Sequence, residues 1–240
     1  MLISKRLFCS LSTMLAEALA HLAKVLRITP ETFEEAIETA AEVLFRGGIV
    51  ALPTDTIYGV STLIEHSDKL YSLKRRPLNK PLGLFLSDPN EIPLWACPTI
   101  SPQLAAQLLP GPVTLIFNRL PSLPANFNPG RDDVGIRVPN SPLVLALTAR
   151  LGVPLAQTSA NVSGSAANPT CVTDFSHLFS EIDLVLDGGV IGKPLESPST
   201  SEGSTIIDLT QKGFYSVVRE GCALKRTEEL LRAAGLEPLY

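Results

Sequence analysis

From Phe33 onward apolar residues return at every third or fourth position, at Phe33, Ile37, Ala40, Ala41 and Leu44. That spacing gathers them on one face of a helix. Thr29-Pro30-Glu31 ahead of them offers a capping hydroxyl, a proline preset for the first helical position and a first-turn acid, and Gly47-Gly48 stops the run. Ile49-Val50-Ala51-Leu52 is then a short unbroken apolar stretch rich in β-branched residues, which reads as a buried strand. The alternation continues along the chain. Strands are predicted over Leu82 to Leu86, Val113 to Phe117, Val134 to Val138, Leu155 to Gln157, Leu184 to Leu186, Thr205 to Leu209 and Tyr215 to Val218. Helices are predicted over Asp68 to Leu73, Pro102 to Leu108, Pro142 to Leu151, Thr173 to Phe179 and Thr227 to Ala234. Such mixing implies a mixed sheet flanked by helices, and no fixed-period repeat or Ser/Gly linker divides it, so residues 30–240 read as a single α/β domain.

The first 29 residues differ in charge from this body. They hold Lys5, Arg6, Lys24 and Arg27 against the one acid Glu17, in a Ser-, Leu- and Ala-rich setting. The segment suits a basic amphipathic helix of the mitochondrial transit type, and equally an ordinary amphipathic N-terminal helix; it lacks the continuous apolar core of a secretory signal.

Charge and cysteine usage narrow the chemistry. Twenty Lys and Arg against 24 Asp and Glu leave a formal charge of −4, so the field of the whole chain repels nucleic acid and any phosphate site must be local. Cys9, Cys97, Cys171 and Cys222 form no metal-ligand pair and no disulfide framework, which makes a reducing compartment, the cytoplasm, the default. No apolar run approaches the roughly 20 residues that span a bilayer. Walker, dinucleotide-binding, nucleophile-elbow and zincin motifs are absent, and His21, His66 and His177 have no spaced partner, so electrostatic clamping is favoured over covalent catalysis.

Polar residues cluster instead at strand ends, where α/β sheets hold ligands. Pro53-Thr54-Asp55-Thr56 follows one buried strand and Thr158-Ser159-Ala160-Asn161 another. Each is also readable as a capped turn. Lys74-Arg75-Arg76-Pro77 and Lys80-Pro81 place four cations in a stiff loop, suited to a triphosphate or to a solvated edge. Arg137 lies inside an apolar strand and needs a partner, either a ligand carboxylate or a structural ion pair. Ser204 to Asp208 and Val217 to Gly221 repeat the arrangement, and several such corners in one domain suggest a shared cleft.

Taken in order, Pro53 to Gly59, Leu73-Lys74-Arg75-Arg76-Pro77, Pro110-Gly111-Pro112-Val113-Thr114, Arg137-Val138-Pro139, Ser159-Ala160-Asn161-Val162-Ser163-Gly164, Asp187-Gly188-Gly189 and Ser204 to Asp208 resemble the YrdC-like threonylcarbamoyl-adenylate synthases in their short, single-domain form. The resemblance runs from about Phe33 to Gly221. It implies a twisted α/β sheet around a deep, positively lined cavity. The implied reaction joins L-threonine, bicarbonate and ATP into threonylcarbamoyl-AMP and pyrophosphate, for transfer to tRNA by a separate complex. Carried over by motif, Thr56, Arg137, Ser159 and Ser204 would hold threonine. Lys74, Arg76, Lys80, Asn161, Thr170 and Arg219 would hold ATP, with Lys74 and Arg76 as the catalytic cations and Mg²⁺ arriving on the phosphates. Phe85 stands where some relatives place a threonine-contacting His, and Asp133 where some place a nucleotide-contacting hydroxyl. Two other readings remain: an RNA-binding module without catalysis, which the acidic body and sparse aromatics disfavour, and a carbamoyl-transfer module of hydrogenase maturation, whose acylphosphatase and zinc-finger parts have no counterpart in the sequence.

Overall fold

The computed structural model describes residues 23–161, 168–192 and 203–239. Twelve strands form its sheet: β1 Lys24–Arg27, β2 Val50–Leu52, β3 Gly59–Leu63, β4 Gly83–Phe85, β5 Ala96–Cys97, β6 Val113–Arg119, β7 Asp133–Arg137, β8 Leu155–Ser159, β9 Leu184–Asp187, β10 Thr205–Asp208, β11 Phe214–Arg219 and β12 Glu237–Pro238. Their order is β1-β9-β2-β3-β8-β4-β7-β6-β10-β11-β12, with β5 paired to β6. It mixes parallel and antiparallel pairs, as the mixed pattern predicts. The helices are α1 Phe33–Phe45, α2 Asp68–Leu73, α3 Ile92–Trp95, α4 Pro102–Leu108, α5 Pro142–Leu151 and α6 Leu224–Ala233.

Packing follows the apolar faces. Ala36, Ile37, Ala40, Ala41 and Leu44 of α1 meet Val144, Leu147 and Leu151 of α5, and both helices cover β2, β9 and Phe85. A second core gathers Leu84, Leu115, Phe117, Ile136, Val185 and Ile207 with Leu104 and Leu108 of α4 and Leu231 of α6. Strands buried on both faces, such as β2, read as unbroken apolar runs for that reason.

Four expectations change. Lys24–Arg27, counted in the amphipathic arm, is an edge strand running parallel to β9, tied by an Arg27–Asp187 ion pair of 2.8 Å. The open edge of β9 supplies hydrogen-bond partners that outweigh local preference; residues 1–22 lie outside the described residues. Helix α1 starts at Phe33, because Thr29 and Thr32 bond each other across a turn and the Thr32 hydroxyl donates to the Arg27 carbonyl. The expected helix over Thr173 to Phe179 is a 3₁₀ stretch, Val172–Glu181. Strands β3, β5 and β12 were not predicted; β3 follows directly from the Pro53 corner and carries Gly59, Ser61 and Thr62, which hide its apolar period.

Candidate active site

Successive residues on a strand face opposite ways, so every second one lines the same surface. Asp133, Gly135 and Arg137 of β7, Gly83 and Phe85 of β4, Gln157 and Ser159 of β8, and Thr114 and Ile116 of β6 share one face of the sheet as the floor of a cleft. Arg76, Pro81, Leu82, Tyr58, Ser204 and Arg219 wall it, around a cavity of about 170 Å³. At its centre Gly135 and Gly83 are register partners, and Gly83 faces Gln157 on the other side. A Cβ on Gly83 would stand 2.5 Å from Gln157 Nε2, so the floor there is bare backbone with one carboxamide laid over it.

Arg137 is 5% exposed and stacks over Phe85 with 5.9 Å from guanidinium carbon to ring centroid. Its Nη2 donates to Asp55 Oδ1 at 2.5 Å and Thr56 Oγ1 at 3.0 Å, and its Nε to the Gly111 carbonyl at 3.3 Å. Of the two partners the sequence left open, the structural ion pair is present. Burial pushes the Arg137 guanidinium down and Asp55 pulls it back up. Nη1 has no hydrogen-bond partner among the described residues, so the cleft-facing fork keeps donors for a ligand.

Lys74 caps the end of α2 and is 1% exposed, with no carboxylate paired to it among the described residues. Its Nζ donates among Thr158 Oγ1, the Ser159 carbonyl, Ser159 Oγ and Asn161 Oδ1. Ser159 Oγ in turn donates to Asn161 Oδ1 at 2.6 Å. Burial, with Arg76 and then Lys80 nearby, pushes the Lys74 ammonium down to about 7. Arg76 spends Nε on the Lys80 carbonyl and Nη2 on the Pro81 carbonyl, which fixes its guanidinium on the cleft wall near Thr158. Arg75 takes a left-handed φ of 46°, and that turn separates the buried Lys74 from the Lys80 loop.

Across the cleft, Arg219 donates Nε and Nη2 to the Ser204 carbonyl and Nη2 to Ser204 Oγ. Ser204 Oγ also lies 2.9 Å from Thr114 Oγ1. Thus Arg76, Arg137, Ser159, Ser204 and Arg219 line one hollow, with Thr56, Lys74 and Asn161 bonded directly to its wall. Lys80 is exposed and lends its carbonyl rather than a lining side chain. Thr170 stands outside the lining, its backbone N–H and hydroxyl donating to Asp174. Val162, Ser163 and Gly164 lie outside the described residues.

Three lining or supporting residues escaped sequence reasoning: Asp55, Gln157 and Arg131. Arg131 donates Nε to Asp133 Oδ1 at 2.7 Å and Nη2 to Asp133 Oδ2 at 2.5 Å, which neutralises the acid facing the cleft. An opposite charge two positions before a strand residue was the available signal. Asp55 had none, since its partner lies 82 residues away.

A sheet-floored hollow lined by arginines and hydroxyls, with a buried lysine behind it, defines an anion-binding α/β domain. A family model for Sua5, YciO and YrdC proteins, described as "Telomere recombination", matches residues 42–221. The chain is 39% identical over 208 residues to the threonylcarbamoyl-AMP synthase of Rattus norvegicus, covering 85% of this chain and 74% of that protein. For the Homo sapiens protein of the same name the identity is 38% over 210 residues, 86% and 75% of the two chains. The structure also resembles that of P. abyssi Sua5 complexed with L-threonine, at a TM-score of 0.76 and 26% identity, spanning 91% of this chain and 62% of that one. This chain belongs to the Sua5/YciO/YrdC family.

Proposed function

We propose that this protein makes threonylcarbamoyl-AMP and pyrophosphate from L-threonine, bicarbonate and ATP. The observation that carries the reading is the convergence of Lys74, Arg76, Arg137 and Arg219 with Ser159 and Ser204 on one cleft. Arg137, through its cleft-facing donors, takes the threonine carboxylate, with Thr56, Ser159 and Ser204 supplying neutral contacts. Arg76, Lys74, Asn161 and Arg219 take the phosphates, and Lys80 and Thr170 approach from the rim. The threonine amine adds to the bicarbonate carbon and a water is lost, leaving a carbamate. A carbamate oxygen then attacks the α-phosphorus, and the bond to the β-phosphate oxygen breaks to release pyrophosphate. Carbamate and phosphate are both anions, so the cations fixed by the Lys80, Pro81 and Ser204 carbonyls lower the repulsion between them without reorganising. Alignment of three reactants in one hollow supplies much of the remaining advantage.

Among the described residues no group of His, Cys, Asp and Glu could cage a metal. Mg²⁺ therefore fits as an ion carried by the triphosphate and its waters rather than by protein carboxylates. The product is consumed by a separate transferase acting on tRNA. No helix among the described residues is long and apolar enough to cross a membrane. We propose the cytoplasm as the compartment, with the mitochondrion as the second if the first residues act as an address.

The test is pyrophosphate release by purified protein. It is expected only when ATP, L-threonine and bicarbonate are all present, and ATP turnover indifferent to threonine would sink the reading.

A further inference from the structure

A second cavity, of about 70 Å³, lies outside the cleft, between the C-terminal end of α4 and the first turns of α6. Leu108, Pro112, Val113, Ala223 and Leu230 make its lining mostly apolar. A single turn of chain stands between it and the cleft: Gly111 lines the cavity, while its carbonyl accepts from Arg137 Nε.

The polar groups around this cavity are unmet on both sides. Thr227 lines it and is 1% exposed, yet its hydroxyl has no hydrogen-bond partner among the described residues. Buried hydroxyls are normally bonded, so this one calls for a partner from the cavity. Arg226 stands at the mouth, exposed and without an ion pair among the described residues. In the first turn of α6 the Leu224 and Thr227 N–H groups donate to the Gly221 and Ala223 carbonyls, while those of Lys225 and Arg226 bond nothing among the described residues. These are donors. The end of α4 supplies acceptors. A continuing helix would bond the Ala106, Gln107 and Leu108 carbonyls to the N–H groups of residues 110, 111 and 112. Pro110 and Pro112 have none, and the Gly111 N–H goes to the Val138 carbonyl. Gln107 and Leu108, two of the residues left with open carbonyls, line the cavity.

This combination selects a ligand class. A divalent cation finds no carboxylate in the lining and is repelled by Arg226. A phosphate finds one guanidinium in apolar surroundings, too little to offset the loss of its water. A purely apolar guest leaves the hydroxyl and the carbonyls dry. A simple carboxylate suits Arg226, Thr227 and the α6 N–H groups but leaves the α4 carbonyls unmet. An α-amino acid satisfies both ends at once, its carboxylate toward α6 and its ammonium toward α4, with an aliphatic side chain against the leucines and prolines. The volume holds about six atoms of water size, so the side chain must be short.

We propose that the cavity between α4 and α6 is a second binding site, separate from the cleft, for a free α-amino acid with a short aliphatic side chain. The inference goes beyond the reaction assigned above and does not depend on it.

The test is binding of L-valine and L-alanine to the full chain, read as dissociation constants by saturation-transfer NMR. Isovalerate, which is valine without its ammonium, and isobutylamine, which is valine without its carboxylate, are the controls. The wild type is expected to bind at least one of the two amino acids, and valine at least tenfold tighter than either control. Arg226→Glu should weaken amino-acid binding at least tenfold, the scale of a lost charge-assisted hydrogen bond. Thr227→Val, which keeps the shape and removes the hydroxyl, should weaken it about threefold to tenfold. Threonine binding in the cleft, unchanged in Arg226→Glu, reports an intact fold. Failure of both amino acids to bind the wild type overturns the proposal, as does binding that neither substitution weakens. Isovalerate bound as tightly as valine overturns the assignment of an amino acid. Valine binding that survives Arg226→Glu and is lost in Arg137→Ala puts the ligand in the cleft, which also overturns it. None of these outcomes bears on pyrophosphate release, so the reaction reading stands or falls separately.

Discussion

Lys74 should take up a proton when nucleotide binds. Its ammonium is pushed to about 7 by burial, against an ordinary 10.5. At pH 8 roughly nine-tenths of the free protein therefore holds it neutral. A triphosphate within reach of Nζ reverses the balance, because an anion beside a desolvated amine favours the charged form. Binding of ATP at pH 8 should then draw in about 0.9 proton per site, and at pH 6, where Lys74 is already charged, almost none from this group. Calorimetry in buffers of different ionisation enthalpy reads the uptake as the slope of observed enthalpy against buffer enthalpy. At pH 8 the triphosphate is fully ionised and adds little of its own, and Lys74→Met serves as the control. A slope near zero in the wild type, or one that Lys74→Met leaves intact, refutes the reasoning.

The same shift has a consequence for stability. Because the folded value lies below the unfolded one, the unfolded chain binds more protons between pH 7 and 10.5, and stability rises with pH across that window. Below pH 7 the full cost is present, on the order of 5 kcal/mol. Chemical denaturation at pH 6.5 and 9 should show the difference in the wild type and a flatter dependence in Lys74→Met.

Three further substitutions separate the roles. Arg137→Ala should raise the threonine requirement at least tenfold while Arg76→Ala chiefly weakens ATP, and steady-state kinetics giving equal, mild effects on both ligands would undo the division of the cleft. Asp55→Asn leaves Arg137 without its carboxylate in a buried setting and should cost about 3 kcal/mol in denaturant unfolding; a loss under about 1 kcal/mol would mean that Thr56 and Gly111 suffice to hold the guanidinium. Gly83→Ala brings a methyl to 2.5 Å from Gln157 Nε2, so the carboxamide must swing away: stability should change by less than about 1 kcal/mol, while substrate affinity falls severalfold, and unaltered kinetics would show the floor to be unused.

How much of this the sequence disclosed depends on the range of the interactions concerned. Ala36, Ile37, Ala40, Ala41 and Leu44 announced α1 because helical burial is written into consecutive turns. The strand at Lys24–Arg27 was hidden, since its pairing with Leu184 to Asp187 depends on an edge formed 160 residues later. The cleft followed a similar rule. Ser159, Ser204 and Arg219 were legible as polar positions at strand ends, Lys74 and Arg76 as cations in a stiff loop and Arg137 as a charge inside an apolar strand, and they do converge. The link between Asp55 and Arg137 was not legible, because nothing local marks which acid will meet a buried arginine across the sheet.

The charge of the assembled cleft gives Lys74 a reason to sit where it does. Asp55 cancels Arg137, and Asp133 cancels Arg131. Inside the cleft Arg76, Arg219 and the titrating Lys74 remain to face the ligands, with Lys80 exposed at the rim. Magnesium triphosphate, bicarbonate and a zwitterionic amino acid bring about three negative charges at pH 8. Two fixed cations inside the cleft leave it short by one when loaded, while a third leaves the empty cleft holding a buried charge whose partners are all neutral oxygens, which is costly. A lysine poised near neutrality meets both conditions, neutral while the cleft is empty and charged once the anions arrive. Arginine at that position would stay charged throughout, so Lys74→Arg should destabilise the unliganded protein and abolish the ATP-linked proton uptake even if nucleotide still binds. A Lys74→Arg protein that kept wild-type stability when empty would show that the buried site tolerates permanent charge, and the case for a titrating cation would fall with it.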